Sequence, residues 1–120
     1  MKYSEIPIPP SANRIWRIFG NRMHKSKQYT EWLDHVAWLL RRDLSNAPVP
    51  CCVVIEIHGG KGWHKARDLD NTIKPAIDAL RASGVLVEDT CDYVSRVEAI
   101  FRAPESKKAE ATCIIGVGLP

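Results

Sequence analysis

The segment Cys51-Cys52-Val53-Val54-Ile55-Glu56-Ile57-His58 is the clearest strand in the chain, and the fold can be worked out from it. Successive side chains of a strand point to opposite faces, so alternate residues share a face. One face carries Cys51, Val53, Ile55 and Ile57, and the other carries Cys52, Val54, Glu56 and His58. The first set is uniformly apolar and the second is mixed, which predicts a sheet that is covered on one face only.

A helix is predicted before this strand, from Ser26 to about Leu44. Its apolar residues recur at the spacing of one helix face, and they are Tyr29, Trp32, Leu33, Val36, Leu40 and Leu44. Trp38 and Leu39 widen this stripe beyond what a single core contact requires. Two explanations stay open for the widening, a broad core-facing surface and a subunit interface.

A second helix is predicted after the strand, from near Asn71 to Ser83, and Gly84 provides a left-handed C-terminal stop. Pro75 restricts where this helix can begin, because proline is harmless only in the first turn, where its missing N–H has no partner within the helix. A cap at Asn71 or Thr72 is therefore preferred. Asp68 and Asp70 would then lie on the loop or strand end that precedes the helix.

The remaining segments complete an α+β pattern. Strands are predicted over 2–8, 93–102 and 111–119, with an irregular segment or a short hairpin over 11–25. This order predicts a two-layer α/β sandwich, with a mixed sheet of about four to five strands and two main helices. Neither an internal repeat nor a linker divides the chain, so we expect a single domain over 1–120.

The composition is that of an ordinary soluble globular domain, since 45% of the 120 residues are hydrophobic and 26% are charged. No apolar stretch approaches the roughly 20 residues of a membrane span, and the N-terminus lacks the apolar run of a signal peptide. These features predict a cytoplasmic protein. The cysteines include no C-x-x-C pair, which favours reduced structural thiols over a zinc site at Cys51, Cys52, Cys91 and Cys113.

The net charge of +3 is modest, but the basic residues are concentrated in two segments. The first contains Arg14, Arg17, Arg22, Lys25 and Lys27, and the second contains Lys61, His64, Lys65 and Arg67. The second cluster leads directly into Asp68, and its His64 is the histidine best situated to meet a phosphate. Basic clusters of this kind fit either a solvated surface or a nucleic-acid surface.

The most informative segment is Arg67-Asp68-Leu69-Asp70-Asn71-Thr72-Ile73-Lys74. In an extended backbone Asp68 and Asp70 would point the same way, while Leu69 would turn inward. Two such carboxylates repel each other, and a bound divalent cation removes that conflict. Ligation by oxygen alone suits Mg²⁺ or Mn²⁺ and not zinc. Asp89 could supply a third acid if Gly84 lets the chain double back after the second helix.

Purely structural explanations also exist for these residues. Asp70, Asn71 or Thr72 could cap the helix. Asp68 could form an ion pair with Arg67 or Lys65, and Asp89 could begin a turn. Lys74 would ordinarily be a solvated helix residue, although it lies about one turn beyond Asp70 and can point toward the same place. Asp78 lies in mid-helix, where a surface role suits it better.

Taken in order, these motifs resemble the RusA family of Holliday junction resolvases, small endodeoxyribonucleases often carried by prophages. The resemblance runs along nearly the whole chain, and the order of the motifs makes it specific. The matching motifs are Pro9-Pro10-Ser11-Ala12-Asn13-Arg14, Trp16-Arg17, Arg67-Asp68-Leu69-Asp70-Asn71, Lys74, Asp78-Ala79-Leu80, Gly84 and Glu88-Asp89.

The resemblance implies a homodimer that resolves four-way DNA junctions, in recombination and repair, by paired symmetric cuts leaving 5′-phosphate and 3′-hydroxyl ends. It implies that Mg²⁺ is required, that Mn²⁺ substitutes for it, and that neither an organic cofactor nor a membrane takes part. The implied catalytic residues are Asp68, Asp70, Asp89 and Lys74, with the three aspartates as metal ligands. The implied DNA-binding residues are Asn13, Arg14, Arg17, Lys61, Lys65, Arg67 and Asn71.

The chain departs from the family pattern in its basic loop, which contains Gly60, Gly62 and Trp63 where relatives can be more uniformly rich in arginine. This departure bears on DNA affinity and target choice more than on chemistry. Glu88 is a second departure; it could assist as an outer acid, while Asp89 matches the catalytic position.

Other functions stay open on the residues themselves. A non-catalytic DNA-binding module would explain the basic clusters but has no need for the three aspartates, which repel phosphate without a metal. A metal-dependent phosphohydrolase of small nucleotides would explain the acids but not the basic loops. A degenerate prophage protein that binds junctions without cutting them is a further alternative.

Overall fold

The computed structural model describes residues 1–10, 16–19, 22–64 and 66–120, with side chains described throughout these ranges except in 16–19 and 22–25. The elements within these ranges are β1 (Lys2–Ile6), β2 (Trp16–Phe19), β3 (Arg22–Lys25), α1 (Lys27–Asp43), β4 (Cys51–His58), a 3-10 turn (Leu69–Thr72), α2 (Ile73–Ser83), β5 (Val94–Arg102) and β6 (Thr112–Gly118).

The main sheet has four strands in the order β1-β6-β4-β5. It is mixed, because β4 runs parallel to β5 and antiparallel to β6, which is itself antiparallel to β1. The parallel pair requires a crossover connection, and the segment that contains α2 provides it. The predicted α+β architecture with a mixed sheet of four to five strands is confirmed.

The core lies on one face of this sheet. Ile55 of β4 is fully buried between its partners Ile115 and Ala99, and the other residues of that β4 face, Cys51, Val53 and Ile57, are fully buried too. Helices α1 and α2 add their apolar stripes to the same cluster. Val54, Glu56 and His58 on the opposite face are only half-buried. The predicted one-sided covering is therefore confirmed.

Helix α1 begins and ends close to the predicted positions. The hydroxyl of Ser26 accepts a hydrogen bond from the backbone N–H of Tyr29 at 3.1 Å, and the N–H of Leu44 donates to the Leu40 carbonyl at 2.8 Å. The first of these bonds is a typical N-cap, worth about 1 kcal/mol. Trp38 is 62% exposed, so a broad core face does not account for the widened stripe at that residue.

A short hairpin precedes α1. Strands β2 and β3 pair in antiparallel register, with Trp16 opposite Lys25 and Phe19 opposite Arg22. Of the two possibilities for residues 11–25, the hairpin is therefore confirmed where the backbone is described. Residues 11–15, 20 and 21 lie outside the described residues.

The cysteines are all free: Cys51 and Cys113 are buried in the core, Cys52 is buried on the opposite face of the sheet, and Cys91 is exposed. Burial raises the pKa of the Cys113 thiol to about 12, so this side chain behaves as a small apolar group. No helix among the described residues has the length and apolarity that crossing a membrane would require.

Candidate active site and nucleic-acid surface

The acidic motif has a backbone different from the one predicted. Asp68 is extended, with φ −79° and ψ 142°, but a 3-10 turn follows it at once over Leu69–Thr72, and the N–H of Asn71 donates to the Asp68 carbonyl at 3.3 Å. Each residue of a 3-10 helix advances about a third of a turn, so residues two apart do not share a direction. The prediction of two carboxylates side by side on an extended backbone is wrong.

Asp68 and Asp70 consequently line different depressions. Asp70 shares a cavity of about 430 Å³ with Lys74, Asp89 and a set of apolar side chains that includes Ile77 and Val97. Asp68 faces a second cavity of about 630 Å³, together with His64 and Asn71. Neither carboxylate forms an ion pair within the described part of the chain. The sequence alternative in which Asp68 pairs with Arg67 is therefore not observed.

Asp89 reaches the cavity of Asp70 because the chain reverses immediately after α2. Gly84 has φ +81°, a left-handed conformation that glycine adopts without strain. The N–H of Leu86 then donates to the Leu80 carbonyl at 3.2 Å, which turns the chain back along the helix, and both Val85 and Leu86 are buried. The expectation that Gly84 permits this return is confirmed.

Arg81 in the last turn of α2 lies between the two acids of the return segment. Its guanidinium is 3.7 Å from a Glu88 carboxylate oxygen and 3.8 Å from one of Asp89. These are long, half-exposed contacts, so each contributes little to stability. Their effect is to hold one positive charge beside the two acids at the end of the helix.

Lys74 is tied to the core through Asp78. Lys74 Nζ donates to Asp78 Oδ1 at 2.8 Å, and the hydroxyl of Tyr29 donates to Asp78 Oδ2 at 2.7 Å. The side chain of Asp78 is only 16% exposed, so the predicted surface role for this residue is wrong. The pKa of Tyr29 is raised, first by burial and then by its bond to the Asp78 carboxylate.

The sequence contained the signal for this contact. Lys74 and Asp78 are separated by four residues on a helix, the separation at which opposite charges meet. What the sequence could not show is that Tyr29, which belongs to another helix, would reach the same carboxylate. Asp78 thus joins α1, α2 and the cavity of Asp70.

The N-terminal segment forms one wall of the cavity of Asp68. Pro9 and Pro10 are buried there, and the indole N–H of Trp32 donates to the Pro7 carbonyl at 3.1 Å, which fixes the segment against α1. His64 also lines this cavity, and its Nδ1 accepts a hydrogen bond from the N–H of Ala66 at 3.1 Å. This bond occupies Nδ1, which leaves Nε2 as the other ring nitrogen for a contact with phosphate.

A third cavity, of about 650 Å³, lies on the other side of Arg67, which also lines the cavity of Asp68. Its lining includes Lys61 and the rings of Trp63 and Phe101. The Arg67 guanidinium carbon lies 4.6 Å from the centroid of the Trp63 ring. Burial lowers the pKa of Arg67 below its usual value. Sequence analysis did not identify this aromatic surface, because Phe101 lies 38 residues beyond Trp63 in the chain.

The predicted DNA-binding residues are only partly described. Lys61 and Arg67 line the aromatic cavity, and Asn71 lines the cavity of Asp68. Asn13, Arg14 and Lys65 lie outside the described residues, as does the side chain of Arg17 in β2.

The described residues include no group of three or more histidine, cysteine, aspartate or glutamate side chains arranged to hold a metal. A carboxylate pair is nevertheless present, since Asp70 and Asp89 line the same cavity. Such a pair fits Mg²⁺, which binds through one or two carboxylates, keeps several waters and takes further oxygen ligands from phosphates. The arrangement does not fit zinc, whose protein sites are usually built around cysteine or histidine ligands.

Comparison with known proteins shows similarity over most of the chain. The model of the endodeoxyribonuclease RusA family matches residues 6–110, a range that includes the hairpin, both helices and the acidic motif and stops short of β6. Crossover junction endodeoxyribonuclease RusA of Escherichia coli K12 is 33% identical over 84 residues, which is 70% of each chain. The proteins of that name from Shigella sonnei and Enterobacteria phage 82 are 32% identical over the same length and share.

Proposed function

This chain belongs to the RusA family of endodeoxyribonucleases, and from that premise we propose that it resolves four-way DNA junctions by metal-dependent hydrolysis of phosphodiester bonds. The proposed enzyme is a homodimer that makes paired symmetric cuts and leaves 5′-phosphate and 3′-hydroxyl ends. The observation that carries the proposal is the cavity shared by Asp70, Asp89 and Lys74. It brings two carboxylates and one ammonium group from separate parts of the chain to one surface.

Asp70 and Asp89 are the proposed ligands of Mg²⁺ or Mn²⁺, and Asp68 is the proposed third acid. Asp68 immediately precedes the 3-10 turn that carries Asp70, so it is the acid nearest to Asp70 along the chain. When bound, the cation would polarise the scissile phosphodiester and activate a water for in-line attack, with the 3′ oxygen leaving. Stabilisation of the developing charge and binding of the phosphates are assigned to side chains of this protein.

Lys74 is the proposed electrostatic catalyst. Its side chain is 70% exposed and lines the cavity, and Asp78 holds its ammonium at 2.8 Å. A compact ammonium in a fixed position can stabilise the negative charge that develops on a phosphate during attack. Because Asp78 is anchored by Tyr29, the lysine is positioned before the substrate arrives.

Phosphate binding is assigned to the basic surface around these cavities. Lys61, Arg67 and Asn71 are the members whose side chains are described, and we propose that Asn13, Arg14, Arg17 and Lys65 extend it. Contacts of this type release counterions, so junction binding should weaken steeply as salt is raised. The basic surface distinguishes this proposal from a phosphohydrolase of small nucleotides, which would need no such area.

The test compares a labelled four-way junction, a linear duplex and a mononucleotide, each with Mg²⁺ and with EDTA. We expect the junction to be cut in Mg²⁺ only, and Asp70→Asn to lower the cleavage rate about 100-fold or more while junction binding is retained. Asp92→Asn is the matched control. The substitution removes the same charge three residues from Asp89, but Asp92 is exposed and does not line the cavity.

Each outcome bears on one part of the proposal. Junction binding without cleavage at any concentration of Mg²⁺ or Mn²⁺ would contradict the nuclease function. Turnover of the mononucleotide in preference to the junction would contradict the substrate assignment. If Asp92→Asn lost as much activity as Asp70→Asn, the loss would reflect general electrostatics rather than a site at Asp70.

A further inference from the structure

The aromatic cavity beside Arg67 is not used by the proposed hydrolysis. It has a volume of about 650 Å³, which exceeds that of one nucleobase, and it combines aromatic walls with basic groups at its rim. The residues that matter here are Trp63, Phe101, Arg67, Leu69, Lys61 and Lys107. Leu69 connects the cavity directly to the acidic motif, since it stands between Asp68 and Asp70.

The aromatic walls are Trp63 and Phe101. Their ring centroids are 6.0 Å apart and their planes are inclined at 33°, so the rings are tilted rather than stacked on each other. Phe101 remains 46% exposed and Trp63 is half-buried. A Cβ atom at Gly59 would lie 2.8 Å from the Phe101 ring, so glycine at this position is what lets the ring approach the β4 backbone.

Arg67 adds hydrogen-bond donors that have no acceptor. Its Nε and Nη2 atoms are shielded from solvent, and no described residue accepts a hydrogen bond from either. Leaving buried donors unsatisfied is costly, particularly on a charged group. A shift of the Arg67 side chain toward the cavity that it lines would bring these donors to the oxygen or nitrogen acceptors of a ligand beside the Trp63 ring. The edges of nucleobases carry such acceptors next to an aromatic face.

The loops that form the cavity are held in place by backbone hydrogen bonds. The N–H of Lys61 donates to the Ala109 carbonyl at 2.9 Å, and the N–H of Ala111 donates to the Lys61 carbonyl at 2.8 Å. The N–H of Gly59 donates to the Arg102 carbonyl at 2.9 Å. These bonds join the β4 loop to the loop before β6, so a ligand would enter a largely preformed site.

We propose that this cavity takes one unpaired nucleobase of the branched DNA, which stacks on Trp63 and accepts hydrogen bonds from Arg67. Lys61 and Lys107 at the rim complement the phosphates on either side of that nucleotide. The proposal rests on the proposed function, because it assumes a branched DNA substrate, and it requires that one base at the branch point leave its pair and its stack. It assigns Trp63 and Phe101 to substrate selection rather than to hydrolysis.

The test is a cycle of protein and DNA changes, with full-length protein in EDTA so that nothing is cut. Four-way junctions carry a single abasic site at each nucleotide around the branch point in turn, and dissociation constants are measured by fluorescence anisotropy. For the native protein we expect one position at which base removal weakens binding roughly 5- to 150-fold, the range for loss of one base–aromatic stack.

The protein variants then show whether that base meets Trp63. Trp63→Ala should bind the intact junction as weakly as the native protein binds the abasic one, with no further loss on the abasic junction. Trp63→Phe keeps a ring and should restore most of the sensitivity. Tyr3→Ala is the matched control, because Tyr3 also presents an exposed aromatic ring, 55% exposed on β1, but lies outside the cavity. Its ratio of abasic to intact binding should equal that of the native protein.

The outcomes separate this inference from the proposed function. The native protein could bind and cut junctions while the effect of Trp63→Ala on binding is independent of the effect of every abasic site. That result would overturn the nucleobase site and leave the proposed nuclease function intact. No junction binding by the native protein would overturn both. Dissociation of a dimer in both Trp63→Ala and Trp63→Phe, measured by sedimentation, would show that a second copy covers this surface and would also overturn the inference.

Discussion

Asp78 shows how a single side chain joins the hydrophobic core to the candidate site. One of its carboxylate oxygens accepts from the buried Tyr29, and the other accepts from the exposed Lys74. The helix spacing made the second contact predictable, but the first depends on how α1 packs against α2. A residue that the sequence assigns to the surface therefore becomes the support of a proposed catalytic group.

The first prediction concerns Asp78→Asn. The amide oxygen can still accept from Tyr29, while the ion pair with Lys74 is lost, so stability should fall by only about 0.5 kcal/mol. The single-turnover cleavage rate should fall about 10-fold, because Asp78→Asn leaves the lysine present but poorly positioned. Lys74→Ala removes the ammonium itself, so the rate should fall about 100-fold. The double variant should be no slower than Lys74→Ala alone, since Asp78 acts through Lys74.

Its control is Glu31→Gln, which removes an exposed pair of the same spacing, Lys27–Glu31, on α1. That variant should cut junctions at the native rate. If the double variant cut junctions more slowly than Lys74→Ala, by the same factor that Asp78→Asn alone slows the native protein, Asp78 would not act through the lysine.

At the scale of elements, the regular structure was predictable and the site backbone was not. The strand Cys51–His58 was identified to the residue by its alternation. Pro75 favoured a cap at Asn71 or Thr72 for α2, and Thr72 is the N-cap of the helix, which begins at Ile73. The segment Asp68-Leu69-Asp70 has the same alternation of polar and apolar residues, yet it enters a 3-10 turn. Three residues are too few for periodicity to distinguish a strand end from a turn that local hydrogen bonds close.

The second prediction concerns the element boundary at Gly84. A Cβ there would meet only Arg41 Nη1 at 3.7 Å, so Gly84→Ala should add backbone strain at φ +81° without a steric clash. We expect the free energy of unfolding to fall by about 1–2 kcal/mol, measured by urea denaturation. Gly84→Asn should lose less, because asparagine adopts the left-handed conformation more readily than alanine.

The same variants test the link between this turn and the site. If the reversal at Gly84 is what brings Asp89 to the cavity of Asp70, Gly84→Ala should also lower the cleavage rate more than Gly84→Asn does. A native free energy of unfolding for Gly84→Ala would show that the turn relaxes without strain. Equal losses of stability in the two variants would show that the left-handed preference of asparagine does not matter here.

At the scale of the whole molecule, the site is assembled from segments that the sequence cannot relate to one another. Asp70 precedes α2 and Asp89 follows it, and the two share a cavity only because the chain returns along the helix. The aromatic cavity likewise joins the loop after β4 to the end of β5. Residue types and motif order could be predicted from the chain, whereas these long-range approaches depend on packing.

The third prediction concerns assembly. A four-way junction has two-fold symmetry, so two sites related by a two-fold axis can cut opposite strands at matching positions. Trp38 is 62% exposed on α1, and we assign it to the interface of the proposed dimer. The native protein should sediment as a dimer, and Trp38→Glu should sediment as a monomer because the substitution buries an unpaired charge.

Loss of the dimer should also change the products. With one site per molecule, Trp38→Glu should release singly nicked junctions in place of paired cuts, which denaturing and native gels distinguish. Leu119→Glu is the matched control, since Leu119 is 79% exposed at the C-terminal end and should leave the dimer intact. An unchanged dimer in Trp38→Glu would remove this helix face from the interface. The uncovered sheet face, where Glu56 pairs with Arg102 at 2.8 Å, would then be the next surface to test.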